Sequence, residues 1–100
     1  MNSLENKVAV ITGAGAGMGK AMALLFAKEK AKVVVSDVKS ERVDAVVDEI
    51  KRLGGEATGV VTDVSKEEDV KLMIDKAFQS YGGIDILVNN AGVMDDFTPV

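Results

Sequence analysis

The chain has 100 residues, 47% of them hydrophobic and 28% charged, a balance that favours a single folded domain over residues 1–100. It contains no cysteine and no histidine, which excludes disulfides, thiolate zinc sites and cysteine or imidazole catalysis, and we expect no metal site. The formal net charge of −4 argues against nucleic-acid or anionic-membrane partners. Since the sequence shows neither a leader pattern nor an apolar run of about 20 residues, we expect a cytoplasmic protein.

The first predicted element is a strand over residues 7–11, which runs into a glycine-rich turn and then a helix over residues 18–30. A strand, turn and helix of this kind direct backbone N–H groups and a helix N-terminus to one point, where a nucleotide diphosphate can bind. A side chain would crowd the turn or the phosphate at three glycines: Gly13, Gly17 and Gly19. The segment therefore predicts a nucleotide site, although a glycine-rich helix start without a ligand remains open at this point.

The spacing of the glycines narrows the kind of nucleotide site. The common dinucleotide fingerprint Gly-x-Gly-x-x-Gly needs a glycine at position 18 or 20, where this chain has Met18 and Lys20. A P-loop is excluded because Lys20 is followed by Ala21 and not by Ser or Thr. The pattern that stands here is Thr12-Gly13-x-x-x-Gly17-x-Gly19.

Strands and helices alternate along the rest of the chain. The predicted elements are a strand over 32–36, a helix capped by Ser40 and ended by Gly54-Gly55, a strand over 57–62, a helix opened by a Ser65/Glu68 capping box and ended by Gly82-Gly83, and a strand over 84–88. The order β-α-β-α-β-α-β with short connections predicts an α/β fold with a parallel sheet and right-handed crossovers.

Polar residues follow the predicted strands, and open parallel sheets bind ligands at the carboxyl ends of their strands. Asp37 follows the second strand, where an acid accepts hydrogen bonds from the adenosine ribose hydroxyls and repels a 2′-phosphate. NADP-binding sites carry basic residues there, whereas this chain has Ala16 and Val38, with Lys39 as the nearest cation in the sequence. The sequence therefore favours NAD as the cofactor, with NADP less favoured.

Two further segments follow the third and fourth strands. Asp63 could accept a hydrogen bond from the adenine amine, with Val64 packed on the ring, or it could help Ser65 to start the next helix. In the segment Asn89-Asn90-Ala91-Gly92, paired amides could fasten strand ends and line the ribose, although the same four residues could form an ordinary turn.

In this order and spacing, the four motifs resemble the classical short-chain dehydrogenase/reductase family, and the resemblance spans essentially the whole chain. It implies a Rossmann-type doubly wound parallel sheet with strand order 3-2-1-4 in this portion and helices on both faces. It also implies NAD binding by Gly13, Gly17, Met18, Gly19, Asp37, Asp63, Val64, Asn90, Ala91 and Gly92.

The reaction that the resemblance implies is hydride transfer between nicotinamide and an alcohol or ketone substrate, with a Tyr-x-x-x-Lys pair as the acid/base. The only tyrosine is Tyr81, and Asp85 stands where the lysine would be. We therefore expect no catalytic residue among these 100 residues and no turnover by the chain alone. The chain is predicted to be the N-terminal cofactor-binding portion of a longer single-domain oxidoreductase, a homo-oligomer at full length.

Three alternatives stay open at this point. A stand-alone NAD-binding or redox-sensing module would use the same pocket without catalysis. A class I methyltransferase also has a glycine turn and an acid after its second strand, but it gives no reason for Asn89 to Gly92. A flavodoxin-like regulator would need acidic residues after the first strand, where this chain has Thr12 and glycines.

Overall fold

The computed structural model describes residues 4–90. All seven predicted elements are present, with bounds that differ from the prediction by no more than two residues. The elements are β1 (Val8–Thr12), α1 (Gly17–Lys28), β2 (Lys32–Asp37), α2 (Ser40–Arg52), β3 (Glu56–Val61), α3 (Glu67–Tyr81) and β4 (Ile86–Asn89).

The four strands form one parallel sheet in the order β3-β2-β1-β4, which confirms the predicted strand order. The register places Val10 of β1 beside Val34 of β2 on one side and Leu87 of β4 on the other. β1 and β2 are central strands whose edges are both paired, and because helices cover both faces of the sheet, nearly every residue in them is buried. Their continuous β-branched, apolar sequences are the pattern expected of interior parallel strands.

Helices cover both faces of the sheet, as predicted. On one face, α1 and α2 pack on the sheet through Ala23, Val43 and Ile50, and these contact Ile11 and Val35. On the opposite face, α3 packs through Met73 and Ala77, and the strand residues there are Val8, Val10 and Val34. This division follows from the strand order: the chain moves outward from β1 to β3 with one hand of crossover and returns to β4 past the other face.

The predicted caps of α2 and α3 differ from those in the structure, whereas the predicted glycine end of α3 agrees with it, and α1 ends at Lys28, two residues before the predicted end. The predicted capping box at Ser65 is wrong: α3 begins two residues later, and the Ser65 hydroxyl donates to the carboxylate of Asp63 at 2.6 Å. Ser40 is the first residue of α2 and not its cap. By contrast, Gly82 ends α3 with φ of +84°, the left-handed conformation that glycine adopts without a steric penalty.

Candidate nucleotide-binding site

The glycine turn between β1 and α1 is held against the end of β2 by two consecutive backbone amides. The Ala14 N–H donates to the carbonyl oxygen of Ser36 at 2.8 Å. The next amide, of Gly15, donates to the carboxylate oxygen Oδ2 of Asp37 at 2.9 Å. The turn begins at Gly13 with φ of +63°, in the left-handed region that favours glycine. The turn between β1 and α1 therefore lies against the carboxyl end of β2.

The start of α1 leaves its first backbone N–H groups free for a ligand. Its N-cap is Ala16, and within the described chain neither a capping side chain nor an acidic residue of the first turn neutralises this end. The N–H groups of Gly17, Met18 and Gly19 have no intrahelical acceptor, because the first acceptor in the helix is the Ala16 carbonyl, which binds Lys20 at 3.3 Å. An unneutralised helix start of this kind attracts anions.

Gly19 lies where the turn, the helix and the fourth strand meet. A Cβ built on it would overlap the carbonyl oxygen of Gly13 and lie 2.7 Å from Nδ2 of Asn90. Only glycine fits at this position, because the overlapping atom belongs to the backbone and cannot rotate away. This close approach confirms that a side chain here would crowd the turn. Gly17 differs: its surroundings are open, and its φ of +57° is what favours glycine.

Asp37 ends β2 directly beside the glycine turn, and it is only 6% exposed. Its Oδ2 accepts the Gly15 N–H, and its Oδ1 accepts the Lys39 N–H at 3.2 Å. Each carboxylate oxygen has a second lone pair, so both can still accept a hydroxyl donor. On the same side of the turn, the Cβ of Arg42 lies 2.5 Å from a Cβ built on Gly15, so α2 also packs closely against the turn.

The end of β4 is fastened to the end of β1 by side chains of both. The Thr12 hydroxyl accepts the Asn90 N–H at 2.8 Å and lies 3.1 Å from the side-chain oxygen of Asn89. The Asn90 amide Nδ2 donates to the Gly13 carbonyl at 3.4 Å. The prediction that the paired asparagines join neighbouring strand ends is therefore confirmed. Ala91 and Gly92, the other two residues of that motif, lie outside the described residues.

Asp63 follows β3 and organises the turn that leads into α3. Its Oδ1 accepts both the hydroxyl and the backbone N–H of Ser65, at 2.6 and 3.0 Å. The Ser65 hydroxyl, then the Ser65 N–H, hold the pKa of this carboxyl below its usual value, with a smaller contribution from Lys66 and a small opposing effect of burial. The sequence left open whether Asp63 binds an adenine or helps Ser65 to start the next helix, and the structure contains the bonds to Ser65. Val64 is half-buried beside it.

Tyr81 lies at the opposite edge of the sheet from the glycine turn. It is the last residue of α3, packs against the cluster around Val8, and has the Lys32 amino group 5.8 Å from its ring centre. Burial raises the pKa of its hydroxyl, and the Glu56 carboxylate adds to this effect. Its place at the amino ends of the strands confirms that it takes no part in the candidate site.

The site residues fall into two groups. The first is a connected set that shares hydrogen bonds or close contacts: Gly13, Gly15, Gly19, Asp37 and Asn90. The second, Asp63 with Val64, lies one strand beyond Asp37 and is reached only through backbone, where the Thr62 N–H donates to the Asp37 carbonyl. Met18, in the first turn of α1, is 71% exposed.

Sequence reasoning missed the roles of Gly15 and of the Thr12 hydroxyl. Gly15 occupies a variable position of the glycine pattern, so the pattern gave no weight to it. The available signal was a third glycine, Gly15, midway between Gly13 and Gly17. Thr12 was recognised as part of the motif, but its bond with Asn90 joins residues 78 apart, and no local pattern could indicate it.

This arrangement, with a parallel 3-2-1-4 sheet, helices on both faces and a glycine turn beside an acid, defines a Rossmann-type nucleotide-binding fold. Residues 7–99 match the family described as short chain dehydrogenase, and the chain belongs to that family. The chain spans about a third of the length of the curated relatives that it matches.

Two curated relatives and two solved structures illustrate the similarity. The chain is 48% identical over 89 residues to 7alpha-hydroxysteroid dehydrogenase of Escherichia coli K12, covering 89% of this chain and 35% of that protein. It is 43% identical over 95 residues to cyclohexanol dehydrogenase of Acinetobacter sp. strain SE19, covering 95% and 38%.

A crystal structure of hydroxysteroid dehydrogenase from Escherichia coli superposes with a TM-score of 0.88 at 47% identity, covering 91% of this chain and 39% of that one. A second solved structure, 7 alpha-hydroxysteroid dehydrogenase complexed with NADH and 7-oxo glycochenodeoxycholic acid, superposes with a TM-score of 0.86 at 45% identity. That match covers 88% of this chain and 34% of the other.

Residues 4–90 contain neither a membrane span nor a metal-binding cluster. No helix there has the length and apolar character needed to cross a membrane. In the same residues, no three acidic side chains come together as a metal ion would require, and the sequence has no histidine or cysteine.

Proposed function

We propose that this chain is the dinucleotide-binding portion of an NAD-dependent oxidoreductase that transfers a hydride between nicotinamide and an alcohol or ketone. One observation carries the proposal: an α1 start with free N–H groups and no acidic residue lies hydrogen-bonded, through Gly15, to a carboxylate at the end of the next strand. A diphosphate suits the first feature and a ribose the second. The similarity to a dehydrogenase solved with NADH supports the same assignment.

The residues present fit such a cofactor. Gly19 lets the start of α1 pack directly on the Gly13 carbonyl, and the surroundings of Gly17 are open, so the first N–H groups of α1 are accessible to a diphosphate. We assign the diphosphate to the N–H groups at the start of α1, the adenosine ribose to Asp37, the adenine to the β3 end, and the second ribose to the β4 end. The residues in these roles are Gly13, Gly17, Met18 and Gly19, then Asp37, then Asp63 and Val64, then Asn90, Ala91 and Gly92.

When bound, the cofactor would supply a nicotinamide carbon that donates or accepts the hydride. This chain's own residues bind and orient the cofactor, and none of those described is assigned to exchange the proton on the substrate oxygen. Tyr81 is the only tyrosine, and it lies at the far edge of the sheet. We therefore assign proton transfer and substrate binding to a longer protein of which this chain is part. The named activities of the relatives favour an enzyme over a sensing module.

The cofactor is proposed to be NAD and not NADP, because Asp37 occupies the ribose position. A 2′-phosphate held about 4 Å from this carboxylate would be repelled by roughly 4 kcal/mol for each pair of charges at an effective dielectric constant of about 20. Asp37 is only 6% exposed, so bulk water screens it little.

The test is a calorimetric titration of the protein with NAD and with NADP. The parent should bind NAD more tightly, and Asp37→Asn should reduce the ratio of the two affinities by at least about tenfold, since about 1.4 kcal/mol corresponds to that factor. Asp44→Asn is the matched control, because it removes the same charge from an exposed position on α2. A parent that prefers NADP, or a preference unchanged in Asp37→Asn, contradicts the assignment of Asp37.

Two broader assignments extend this proposal. On the family resemblance, the full-length protein is proposed to be a homo-oligomer that acts on a small alcohol or ketone, and on the sequence patterns given above it is proposed to be cytoplasmic. Light scattering of the full-length protein measures its assembly, and a monomer would contradict that part.

A further inference from the structure

We infer that Asp37 is a positioning residue for the glycine turn as well as a ligand of the ribose. Its bond to Gly15 would hold the diphosphate-binding turn in its binding shape before a cofactor arrives. This inference rests on the proposed function and adds a second role for a residue that the ribose assignment already uses. It predicts that Asp37 controls affinity for the phosphate end of the cofactor, which it does not touch.

The first step is the way in which the turn is tied to β2. Two successive N–H groups of the turn donate to β2, that of Ala14 to a backbone carbonyl and that of Gly15 to the Asp37 carboxylate. Any residue at position 36 would supply the first acceptor. Only a side chain with an acceptor at the right reach supplies the second. The chemistry of the side chain at position 37 therefore decides where Gly15 lies.

The second step is the close packing of Gly15 against Asp37 and Arg42. A Cβ on Gly15 would lie 2.7 Å from Oδ2 of Asp37 and 2.5 Å from Cβ of Arg42, so the turn packs directly on both. Asp37 is 6% exposed, and a carboxylate so buried needs donors for its charge. Bonds from backbone N–H groups to an ionised carboxylate are about twice as strong as neutral ones.

The third step concerns what the turn would do without this bond. Gly13 and Gly17 flank it with φ of +63° and +57°, and glycines of this kind reach many other conformations at little cost. A turn that is ordered before binding does not lose that freedom when the ligand arrives, and the affinity is correspondingly higher. The carboxylate thus acts on the diphosphate through Gly15, by keeping the turn in one conformation.

The experiment separates the two roles of Asp37 by ligand. ADP has the ribose hydroxyls that Asp37 would bind, whereas 2′,3′-dideoxy-ADP has the diphosphate and lacks them. Both are titrated calorimetrically into the parent, Asp37→Ala, Asp37→Asn and the exposed control Asp44→Ala. Hydrogen exchange of the Gly15 amide is measured by NMR in each protein.

A pure ribose contact would leave dideoxy-ADP affinity unchanged in Asp37→Ala. The positioning role predicts instead a loss of about tenfold for dideoxy-ADP, equivalent to about 1.4 kcal/mol, and a larger loss for ADP. Removal of a negative charge near a diphosphate would by itself raise affinity, so the expected loss is opposite in sign to the electrostatic effect. Asp44→Ala measures that effect, and it should bind both ligands at least as tightly as the parent.

Asp37→Asn keeps an oxygen that can accept the Gly15 N–H, so it should recover most of the dideoxy-ADP affinity and the protection of the Gly15 amide. Gly15→Ala is a second route to the same answer, because its methyl group pushes on Asp37 without touching a ribose. It should weaken dideoxy-ADP as well as ADP, because both ligands use the turn that the methyl group displaces. These two variants keep the test decisive even where Asp37→Ala does not fold.

Equal affinity of the parent and the folded Asp37 variants for dideoxy-ADP, with an unchanged Gly15 amide, would overturn the positioning role and leave the proposed function standing. A parent that binds neither ADP nor NAD would overturn both.

Discussion

The starts of α1 and α3 are alike in topology and opposite in chemistry. Each helix begins just past the carboxyl end of a parallel strand, and each first turn carries unpaired N–H groups. The first turn of α3 contains three acidic residues, Glu67, Glu68 and Asp69, and the turn before it is bound by the Asp63 carboxylate. The first turn of α1 contains no acidic residue and begins with Gly17, Met18 and Gly19.

The difference indicates which end is meant for a ligand. Acidic side chains neutralise the partial positive charge of a helix start, and α3 is stabilised in this way by its own residues. Asp69 goes further, because its Oδ2 accepts the Asp63 N–H at 3.0 Å. The α1 start has no such internal partner among the described residues and lies beside Asp37. The N–H groups of this helix start are therefore the ones available to the diphosphate proposed above.

The largest expected effect comes from adding a methyl group where α1 packs on the glycine turn. Gly19→Ala places a methyl group on the Gly13 carbonyl oxygen, and it should destabilise the protein by about 1–3 kcal/mol and lower NAD affinity by at least about tenfold. Denaturant unfolding and calorimetric titration measure the two effects.

The matched control is Gly83→Ala, beyond the α3 end, where an added Cβ has no neighbour within 4 Å among the described residues. It should leave both quantities close to those of the parent. Equal behaviour of the two alanine variants would mean that the close approach at Gly19 does not matter.

A smaller effect distinguishes the threonines that precede the two helices. The Thr12 hydroxyl, before α1, accepts the Asn90 N–H, whereas the buried Thr62 hydroxyl, before α3, has no hydrogen-bond partner within residues 4–90. Thr12→Val should therefore cost about 1 kcal/mol of unfolding free energy, because it leaves the partly buried Asn90 N–H without this acceptor.

Thr62→Val should be neutral or slightly stabilising, because it removes a buried polar group that makes no bond there. Denaturant unfolding of both variants measures the difference. A larger loss from Thr62→Val than from Thr12→Val would contradict the contrast between the two threonines.

The smallest expected change in stability comes from exchanging the chemistry of the two helix starts. Met18 is 71% exposed, so Met18→Glu makes the α1 start resemble that of α3. It should stabilise the protein by about 0.3–1 kcal/mol and at the same time weaken NAD binding by about tenfold, because the new carboxylate repels the diphosphate. Unfolding and titration should thus move in opposite directions.

Two companions sharpen this exchange. Met18→Gln has the same length without the charge and should keep the affinity of the parent. Glu67→Gln removes one charge from the α3 start, and it should lower stability by about 0.3–1 kcal/mol without changing NAD affinity. Unchanged affinity in Met18→Glu would place the diphosphate elsewhere.

Much of the fold could be predicted because its signals are local. The β-branched run before Asp37 is typical of an interior strand. The Gly82-Gly83 pair is typical of a helix end, and the left-handed conformation of Gly82 in the structure agrees with it. The strand order came from the family resemblance and not from any residue pattern. Within the site, Asp37 and Gly19 could be placed because their strand and turn could be placed.

What could not be predicted depends on the direction of single hydrogen bonds. Ser65 followed three residues later by Glu68 fits a capping box, but a hydroxyl can donate as well as accept, and here it donates to Asp63. In the same way, nothing in the sequence says that the Gly15 N–H points to Asp37, or that the side chain of Arg42 begins beside the turn. Those facts appear only when the turn and the helix are packed together.

The pairing of β1 with β4 has a consequence for biosynthesis. The Thr12 hydroxyl finds its Asn90 partner 78 residues later in the chain. At about 5–20 residues per second, a ribosome needs roughly 4–16 s to make that stretch. During this time the Val8–Thr12 edge has unpaired carbonyl and N–H groups beside apolar side chains, the combination that recruits foreign strands. A nascent chain stalled before β4 therefore exposes an apolar strand edge that the folded sheet covers.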